Sequence, residues 1–275
     1  MATETKHIGN LSGKILIFGG VYSNLQALEA VKNIAEENNI PANNCICTGD
    51  IIGYCAQPEE TIQLFKAWNP RCILGNVEIQ LLEGSDNCGC NFEEGSRCDT
   101  LSQQWFSYAS NKVTPGSIEF MATLPLHIQF TFANKNITVV HGSVSNTSEF
   151  IFKSTPWTRK LPNFETTQSE IIIAGHCGLP FYEENTNKIW INPGVIGMPA
   201  NDGQPKVWYV ILDDSNNDFK FKFHTLDYNY SLANQLMLEH GLPKSYAETL
   251  KTGLWDNMDI LPNTERQQQG LRINF

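Results

Sequence analysis

The feature that most constrains the fold is a set of short apolar runs, each followed by a glycine. The runs are Lys14–Phe18 before Gly19, Cys45–Thr48 before Gly49, and Arg71–Leu74 before Gly75. Runs of this length that end at a turn residue are typical of buried strands. Such strands are common in parallel sheets, where helices cover both faces. The sequence therefore predicts an α/β fold whose parallel strands end at glycine turns.

The segments between these runs have the spacing of helices. Apolar residues recur on one helical face from Leu25 to Ile34, and Ser23 with Gln26 forms a predicted capping box in front of them. A second helix is predicted over Pro58–Trp68, with the proline in its first turn. The alternation of strand and helix predicts right-handed crossovers between parallel strands.

The rest of the chain predicts a less regular organisation. The segment 79–125 holds a Gly-, Cys- and acid-rich stretch and then a helix, so we interpret it as an insertion or cap. Further strands are predicted at Leu126–Phe132, Ile137–His141, Ile171–Ala174, Phe181–Glu184, Lys188–Asn192, Val207–Asp213 and Phe219–Leu226. A C-terminal helix and tail are expected over 231–275, and residues 1–275 are predicted to form a single domain.

Four polar side chains come directly after predicted strands, and each has a glycine beside it. They are Asp50, Asn76, His141 and His176. Ligands of open α/β sheets bind outside the carboxyl ends of the strands, and glycine lets the backbone approach them. One carboxylate, one amide oxygen and two imidazoles suit Mn, Fe, Zn or Ni better than Mg or Ca. Each residue alone is compatible with an ordinary turn, but their recurrence favours a metal or phosphate site.

Charge and hydropathy limit the class of partner. The formal net charge is −10, which disfavours duplex nucleic acid and anionic membranes because both need a cationic surface. No apolar run approaches the roughly 18 residues of a membrane span, and no signal-peptide pattern is present, so neither a membrane nor a secreted location is expected. Eight cysteines in such a chain indicate reduced thiols and a cytoplasmic location. The oligomeric state is not predicted.

Taken in order, these motifs resemble those of the calcineurin-like metallophosphoesterase family. The short motifs are Gly49-Asp50, Gly75-Asn76, His141-Gly142-Ser143 and Gly175-His176. The stretches KILIFGGVYSNLQALEAV, TGDIIGYCAQPEE, GHCGLPF and INPGVIG resemble further family motifs, so the resemblance extends over roughly residues 14–213. It implies a four-layer α-β-β-α sandwich with a dinuclear metal centre.

The chain departs from the family pattern at the first of the two metals. The resemblance implies that this ion would need an Asp and a His from the opening motif, a shared Asp, and the second His of the closing motif. Gly20, Tyr22 and Gly178 occupy the three unshared positions. The ligands of the second metal are complete in Asp50, Asn76, His141 and His176. The resemblance therefore implies one transition metal (Mn, Fe, Zn or Ni) and a degenerate first site.

The leaving-group acid of the family is also replaced. Its His position holds Val77, while Glu78 keeps the acidic position beside it. Glu78 is one candidate catalytic residue. Tyr22 is the other, because a phenolate can bind ferric iron, although a packed aromatic ring is the alternative interpretation. Loss of a general acid costs roughly 10²–10⁴ in rate, so activity is expected on substrates with good leaving groups.

Two functions are compatible with this pattern. The first is a metal-dependent phosphoesterase with a reduced or rebuilt centre, which hydrolyses a phosphomonoester, a phosphodiester or a nucleotide polyphosphate. The second is a non-catalytic descendant that binds a phosphorylated ligand or a protein. We favour the first, because a pure scaffold has no structural reason to keep the complete ligand set of one metal. The expected partner is a small phosphorylated molecule.

The cysteines admit a functional and a structural interpretation. Cys55 and Cys177 could supply metal bonds or be small buried residues, which free cysteines often are. Cys88, Cys90 and Cys98 form a weak zinc pattern without a fourth nearby ligand. A thiol-redox or zinc protein is therefore a third, more distant hypothesis.

Basic residues follow the His141-Gly142-Ser143 motif, and they too have two interpretations. Lys153, Arg159 and Lys160 could line the mouth of a phosphate pocket, or they could belong to a solvated loop. Trp157 could stack on a base or pack on the body of the protein.

Overall fold

The computed structural model of the protein describes residues 5–90 and 95–275. Within these residues the strands are β1 (Thr5–Asn10), β2 (Lys14–Phe18), β3 (Cys45–Cys47), β4 (Arg71–Cys72), β5 (His127–Phe132), β6 (Lys135–Val140), β7 (Ile171–Ala174), β8 (Pro180–Asn185), β9 (Lys188–Pro193), β10 (Val207–Asp213) and β11 (Lys220–Leu226). The helices are α1 (Leu25–Glu37), α2 (Pro58–Trp68), α3 (Asn76–Glu83), α4 (Arg97–Ser110), α5 (Pro115–Met121), α6 (Trp157–Thr167), α7 (Tyr230–Glu239), α8 (Lys244–Thr252) and α9 (Asn263–Arg266).

Within the described ranges the strands form two sheets. One has five strands in the order β11-β10-β2-β3-β4, and the other has six in the order β1-β5-β6-β7-β9-β8. Strands β2, β3 and β4 run parallel and are joined through α1 and α2, which confirms the predicted crossovers. In the second sheet β6, β7 and β9 are parallel neighbours. The carboxyl ends of several strands therefore meet at one edge of each sheet.

Three apolar clusters separate the four layers of the fold. The first packs helices on the five-stranded sheet and contains Leu16 and Phe18 of β2. The second lies between the two sheets and contains Ile15 and Ile17 of the same strand. The third packs α6 on the six-stranded sheet through Phe164. The order helix, sheet, sheet, helix confirms the predicted α/β sandwich, and residues 15–18 of β2 are all apolar because both faces of the strand are buried there.

Several elements, among them β1, α3 and α6, were not predicted from the sequence. Strand β1 is largely exposed at a sheet edge, so it has no apolar run, and it pairs with β5 in parallel. Helix α3 starts at Asn76, within a motif that resembles a turn. Helix α6 contains Pro162, which disfavours a helix because proline lacks a backbone donor. The helix forms nonetheless, since its Phe164 is fully buried 6.1 Å from the ring of Trp190.

The predicted capping box at the start of α1 is wrong by one residue. Asn24 is the N-cap, and its Oδ1 accepts a hydrogen bond from the Ala27 N–H at 3.2 Å. Ser23 instead has a left-handed φ of 59°, and its Oγ accepts from the Gly53 N–H at 3.1 Å. Ser23 therefore joins the loop after β2 to the loop after β3 instead of capping the helix.

The part of segment 79–125 that the structure describes packs into the main body. Trp105 and Phe106 of α4 and Met121 of α5 are buried in the cluster that contains Leu16. Residues 91–94 of this segment and residues 1–4 lie outside the described residues, and the domain boundaries stay predictions. At the C-terminus α8 and α9 follow α7, where the sequence predicted one helix and a tail.

Of the three basic residues after His141, Lys153 and Arg159 are exposed, as the solvated interpretation predicts, and Lys160 is buried. Lys160 of α6 is fully buried, and its Nζ donates to the carbonyl oxygens of Lys153 and Thr155 at 3.1 and 3.0 Å. The same Nζ forms an ion pair with Glu183. Arg159 is exposed and pairs with a carboxylate on the preceding loop. Trp157 stacks on the buried Phe164 ring at 5.4 Å, which agrees with the packing interpretation.

We expect Lys160→Met to lower the free energy of unfolding by about 2–4 kcal/mol, because two backbone carbonyls lose their donor. Arg159→Met is the matched control on the same helix and should cost less than about 1 kcal/mol, since exposed ion pairs contribute little. Urea denaturation of both variants measures the difference. Equal losses in the two variants would contradict the structural role assigned to Lys160.

Candidate metal centre

The four polar residues that follow predicted strands come together at the carboxyl ends of both sheets. Asp50 follows β3, and Asn76 is the first residue of α3 after β4 in the five-stranded sheet. His141 directly follows β6, and His176 follows β7 in the six-stranded sheet. All four are buried. The site therefore bridges the two sheets, and neither sheet could form it alone.

Close backbone approach explains the glycines beside these residues. Gly49 has a φ of 96°, and a Cβ there would lie 2.8 Å from Nδ1 of His141. A Cβ on Gly75 would collide with Oδ1 of Asp50. Asp50 and His176 themselves have left-handed φ values of 57° and 62°. Such conformations are costly for residues other than glycine and are concentrated at functional sites.

Three of the proposed ligand atoms lie close to the fourth, Nε2 of His141. Nε2 of His141 lies 3.2 Å from Oδ2 of Asp50, 3.0 Å from Oδ1 of Asn76 and 3.1 Å from Nδ1 of His176. Ligand atoms of Asp50, His141 and His176 all lie within 4.8 Å of one another. Ligands at about 2.1 Å from a common ion have spacings of roughly 3–3.5 Å, so these distances are those of a coordination shell.

Neighbouring backbone atoms fix the orientation of two of these side chains. Nδ1 of His141 lies 2.6 Å from the carbonyl oxygen of Thr48, so Nδ1 carries the proton and Nε2 presents a lone pair. The amide of Asn76 donates from Nδ2 to the Cys88 carbonyl at 2.7 Å and to the Cys90 sulfur at 3.2 Å. Its Oδ1 therefore faces the site. Converging oxygen and nitrogen atoms of this kind form a ligand set that fits a cation, which would take the place of a proton on Nε2 of His141.

The electrostatic environment keeps one imidazole neutral. Burial, assisted by the charge of His141, lowers the pKa of His176 to about 3. Burial also acts to lower the pKa of His141, but the nearby Asp50 carboxylate outweighs it and raises that pKa above its ordinary value. A neutral imidazole is the form that binds a metal, so His176 is available as a ligand at physiological pH.

The structure places Glu78 beneath the site. Its Oε2 accepts hydrogen bonds from the backbone N–H groups of Asp50 at 2.8 Å and Gly75 at 2.9 Å. Its Oε1 accepts from Ile52 at 3.1 Å. Burial and the Asp50 charge raise the pKa of Glu78 to about 7. Since three backbone donors occupy its carboxylate, Glu78 is better suited to positioning the two metal-binding loops than to contacting a substrate.

Tyr22 lies where the sequence comparison expects a ligand of the first metal. Its ring packs edge-on to Tyr54 with ring centres 4.8 Å apart. Burial, with a smaller contribution from Asp50, raises the pKa of Tyr22 well above its ordinary value. The phenolate that a metal would need is therefore disfavoured, and the packed-ring interpretation is the one this geometry supports.

A pocket of about 80 Å³ opens beside Asp50 and His176. Aromatic residues that the sequence analysis did not select line much of it, namely Tyr54, Phe150, Tyr246 and Trp255. Phe150 stacks on the His176 ring at 4.2 Å. Among the described residues that line the pocket, none is Lys or Arg. An anion in this pocket would therefore meet no Lys or Arg side chain among the described lining residues.

The cysteines surround the pocket without forming a second metal cluster. Cys90, Cys98 and Cys177 line it, whereas the Cys55 sulfur lies 3.8 Å from the Gly197 carbonyl. Among the described residues, the group of three or more Cys, His, Asp or Glu ligands that lie close together is Asp50, His141 and His176. The described residues thus give the weak zinc pattern no further support.

Comparison with known proteins identifies the family. A family model described as the calcineurin-like phosphoesterase superfamily domain matches residues 14–217. The chain belongs to this superfamily. An uncharacterized protein of Methanocaldococcus jannaschii, MJ0912, is 25% identical over 254 residues, which cover 87% of this chain and 98% of that protein.

Two solved structures share the fold of this superfamily member. The hypothetical protein PH1004 of Pyrococcus horikoshii OT3 has a TM-score of 0.74 at 19% identity, with 88% of this chain and 99% of that chain covered. A metallophosphoesterase of Sphaerobacter thermophilus has a TM-score of 0.68 at 23% identity, with 89% and 100% covered. The fold thus agrees over nearly the whole length of each protein.

Gly20, Tyr22 and Gly178, at the positions where the resemblance expects ligands of the first metal, are closely packed against neighbouring residues. A Cβ on Gly20 would lie 2.5 Å from the Tyr22 ring. Gly178 has a φ of 78°, and a Cβ there would lie 3.2 Å from the Trp255 ring. Gly20 and Tyr22 are therefore complementary, since the ring takes the space that a larger residue at Gly20 would need.

We expect the purified protein to bind at most one transition metal ion per chain. His141→Ala and Asp50→Asn should lose it, because each removes a donor from the converging set, and His240→Ala should retain it as an exposed control. Elemental analysis after equilibration with Mn²⁺ or Zn²⁺ gives the stoichiometry. Two tightly bound ions in the parent protein would contradict this assignment.

Because Gly20 and Tyr22 are complementary in size, we expect the effect of restoring a metal ligand at Gly20 to depend on the residue at Tyr22. Gly20→Asp alone should destabilise the protein by about 1–3 kcal/mol through overpacking against Tyr22, and adding Tyr22→His should relieve the clash. The triple variant with Gly178→His should bind towards two ions, although the left-handed backbone at Gly178 will cost roughly 1 kcal/mol. Thermal unfolding and metal content test both steps. Well-folded variants that gain no second ion would show that the opening motif is misassigned.

Proposed function

We propose that the protein is a metal-dependent phosphoesterase with a single-metal centre held by Asp50, Asn76, His141 and His176. The observation that carries this proposal is the convergence of three buried donor atoms on a fourth, Nε2 of His141, in a member of a phosphoesterase superfamily. When bound, a transition metal supplies Lewis-acid polarisation of a phosphoryl oxygen and lowers the pKa of water.

The protein's own residues orient this chemistry. The Thr48 carbonyl holds the His141 ring in one tautomer. Glu78 holds the backbone of Asp50 and Gly75, so that the loops after β3 and β4 keep a fixed separation. Outer partners of this kind typically change metal affinity or activity by 10–100-fold when they are mutated. We assign Glu78 a positioning role on this basis.

The pocket limits the class of substrate. A volume of about 80 Å³ is far below the roughly 300–1,000 Å³ of pockets that enclose whole drug-sized ligands. We infer that the phosphoryl end of the substrate enters and that the remainder stays outside. Val77 lines the pocket where the family resemblance places a proton donor. Substrates whose leaving group departs as a stable anion, such as aryl phosphoesters or nucleotide polyphosphates, are therefore the proposed class.

A non-catalytic role is the second candidate. It is favoured by the changes at Gly20, Tyr22, Val77 and Gly178, which remove one half-site and the leaving-group acid. Under this alternative the same centre would bind a phosphorylated ligand or support a protein contact without turnover.

The proposed location is the cytoplasm, and small phosphorylated molecules are the proposed partners. All eight cysteines are free and buried in the structure, as expected in a reducing compartment. Among the described residues, no helix is long and apolar enough to cross a membrane. The net charge of −10 disfavours duplex nucleic acid as a partner.

We expect slow hydrolysis of p-nitrophenyl phosphate or bis(p-nitrophenyl) phosphate that depends on added Mn, Fe, Zn or Ni. Asp50→Asn and His141→Ala should abolish it, and His240→Ala should not change it. Val77→His should raise the rate on an alkyl ester more than on an aryl ester, because only the poorer leaving group needs a proton. No turnover above buffer in a broad phosphoester panel, with metal bound, would favour the non-catalytic alternative.

A further inference from the structure

Two cysteine sulfurs lie unusually close together beside the metal centre. Sγ of Cys88 and Sγ of Cys90 are 2.7 Å apart, and both side chains are buried. A disulfide bond is about 2.05 Å long, so a movement of less than about 1 Å would bring the two sulfurs to bonding distance.

The conformation of the turn between the two cysteines holds their sulfur atoms close together. Gly89 has a left-handed φ of 68°, and a Cβ there would lie 2.7 Å from the Gln80 side chain. Its N–H donates to Oδ1 of Asn87 at 2.9 Å, and its carbonyl accepts from the Ser148 hydroxyl at 2.6 Å. This backbone conformation favours glycine, and both sulfurs lie on the buried side of the turn.

The two sulfurs differ in their access to the pocket. Cys90 lines it and is 7% exposed, whereas Cys88 lies behind it and is 1% exposed. A pocket of about 80 Å³ has room for hydrogen peroxide. A small oxidant would therefore meet Cys90 first and find Cys88 beside it.

We propose that Cys88 and Cys90 are a redox-sensitive dithiol that hydrogen peroxide converts into a disulfide. In the first step the Cys90 sulfur attacks one peroxide oxygen, the O–O bond breaks, and the released hydroxide takes the Cys90 proton to form water. In the second step the Cys88 sulfur attacks the sulfenic sulfur of Cys90, the S–O bond breaks, and hydroxide leaves with the Cys88 proton as a second water. Two thiols are oxidised by two electrons and one peroxide is reduced by two.

The dithiol contacts a proposed metal ligand. The Asn76 amide donates to the Cys88 carbonyl at 2.7 Å and to the Cys90 sulfur at 3.2 Å. These two bonds turn Oδ1 of Asn76 towards the metal centre. Closure of the disulfide moves the Cys90 sulfur and the turn that carries the Cys88 carbonyl. Oxidation should therefore weaken metal binding by about 10–100-fold, the usual effect of changing such outer contacts.

The first experiment tests the dithiol without reference to metal or activity. Reduced, metal-free protein is treated with hydrogen peroxide, its free thiols are alkylated, and its peptides are mapped by mass spectrometry. We expect a linked Cys88–Cys90 peptide in the parent and in Cys98→Ser, a control that removes another pocket cysteine of equal exposure. Reduction with dithiothreitol should restore both thiols.

Variants of Cys88 separate the two steps. Cys88→Ser should leave a sulfenic acid on Cys90 that dimedone traps, and Cys88→Ala should do the same if the serine variant unfolds. Free Cys88 and Cys90 in the treated parent, or oxidation confined to Cys98, would overturn the proposal.

The second experiment tests the coupling to the metal centre, which rests on the function proposed above. Isothermal titration with Mn²⁺ compares reduced and oxidised parent with Cys98→Ser in both states. A 10–100-fold loss of affinity on oxidation, reversed by dithiothreitol, is expected in both proteins. Equal affinities would overturn the coupling, and absence of Mn²⁺ binding in either state would overturn both the coupling and the metal centre. The peptide map would still show whether Cys88 and Cys90 form a disulfide.

Discussion

The buried carboxylate of Glu78 is the interaction on which the geometry of the site depends. It accepts hydrogen bonds from the N–H groups of Asp50, Ile52 and Gly75, which lie in the loops after two adjacent parallel strands. A buried carboxylate is costly, and three backbone donors offset part of that cost, while burial and the Asp50 charge still raise the pKa of Glu78 to about 7. The same bonds hold the Asp50 loop in a left-handed conformation beside the Asn76 helix start. Two of the proposed ligands are thus positioned by one residue that is not itself a ligand.

Packed side chains occupy the positions at which the family resemblance expects ligands of a first metal. The Tyr22 ring contacts Tyr54 and leaves no space for a larger residue at Gly20. Trp255 fits against the glycine at position 178, whose backbone conformation also disfavours a larger side chain. Gly20 and Tyr22 therefore depend on one another, whereas Gly178 depends on Trp255. Restoring a single ligand should therefore lower the stability of the protein without creating a second metal site.

The pocket has acidic and aromatic lining residues, and it lies beside the candidate metal site of Asp50, His141 and His176. Asp50 and Asp256 line it, Arg97 neutralises Asp256 from outside, and no described lining residue is basic. Under the proposed function, binding of a phosphoryl group would depend on the metal, which would link ligand recognition to the four proposed donors. The same pocket exposes the sulfur of Cys90, so the contact that orients Asn76 is also the one that a small oxidant can reach.

The sequence alone determined the parallel strands, the α/β class and the four residues that follow strands β3, β4, β6 and β7. These follow from local patterns, because an apolar run ending at Gly49 or Gly75 specifies a strand end, and parallel strands share one carboxyl edge. Tertiary structure alone decided the contacts of Glu78 and the burial of Lys160. Those contacts join residues that are distant in sequence, and the local periodicity of apolar residues does not predict such contacts. Helix α6 shows the same limit, since packing of Phe164 outweighs a local signal against the helix.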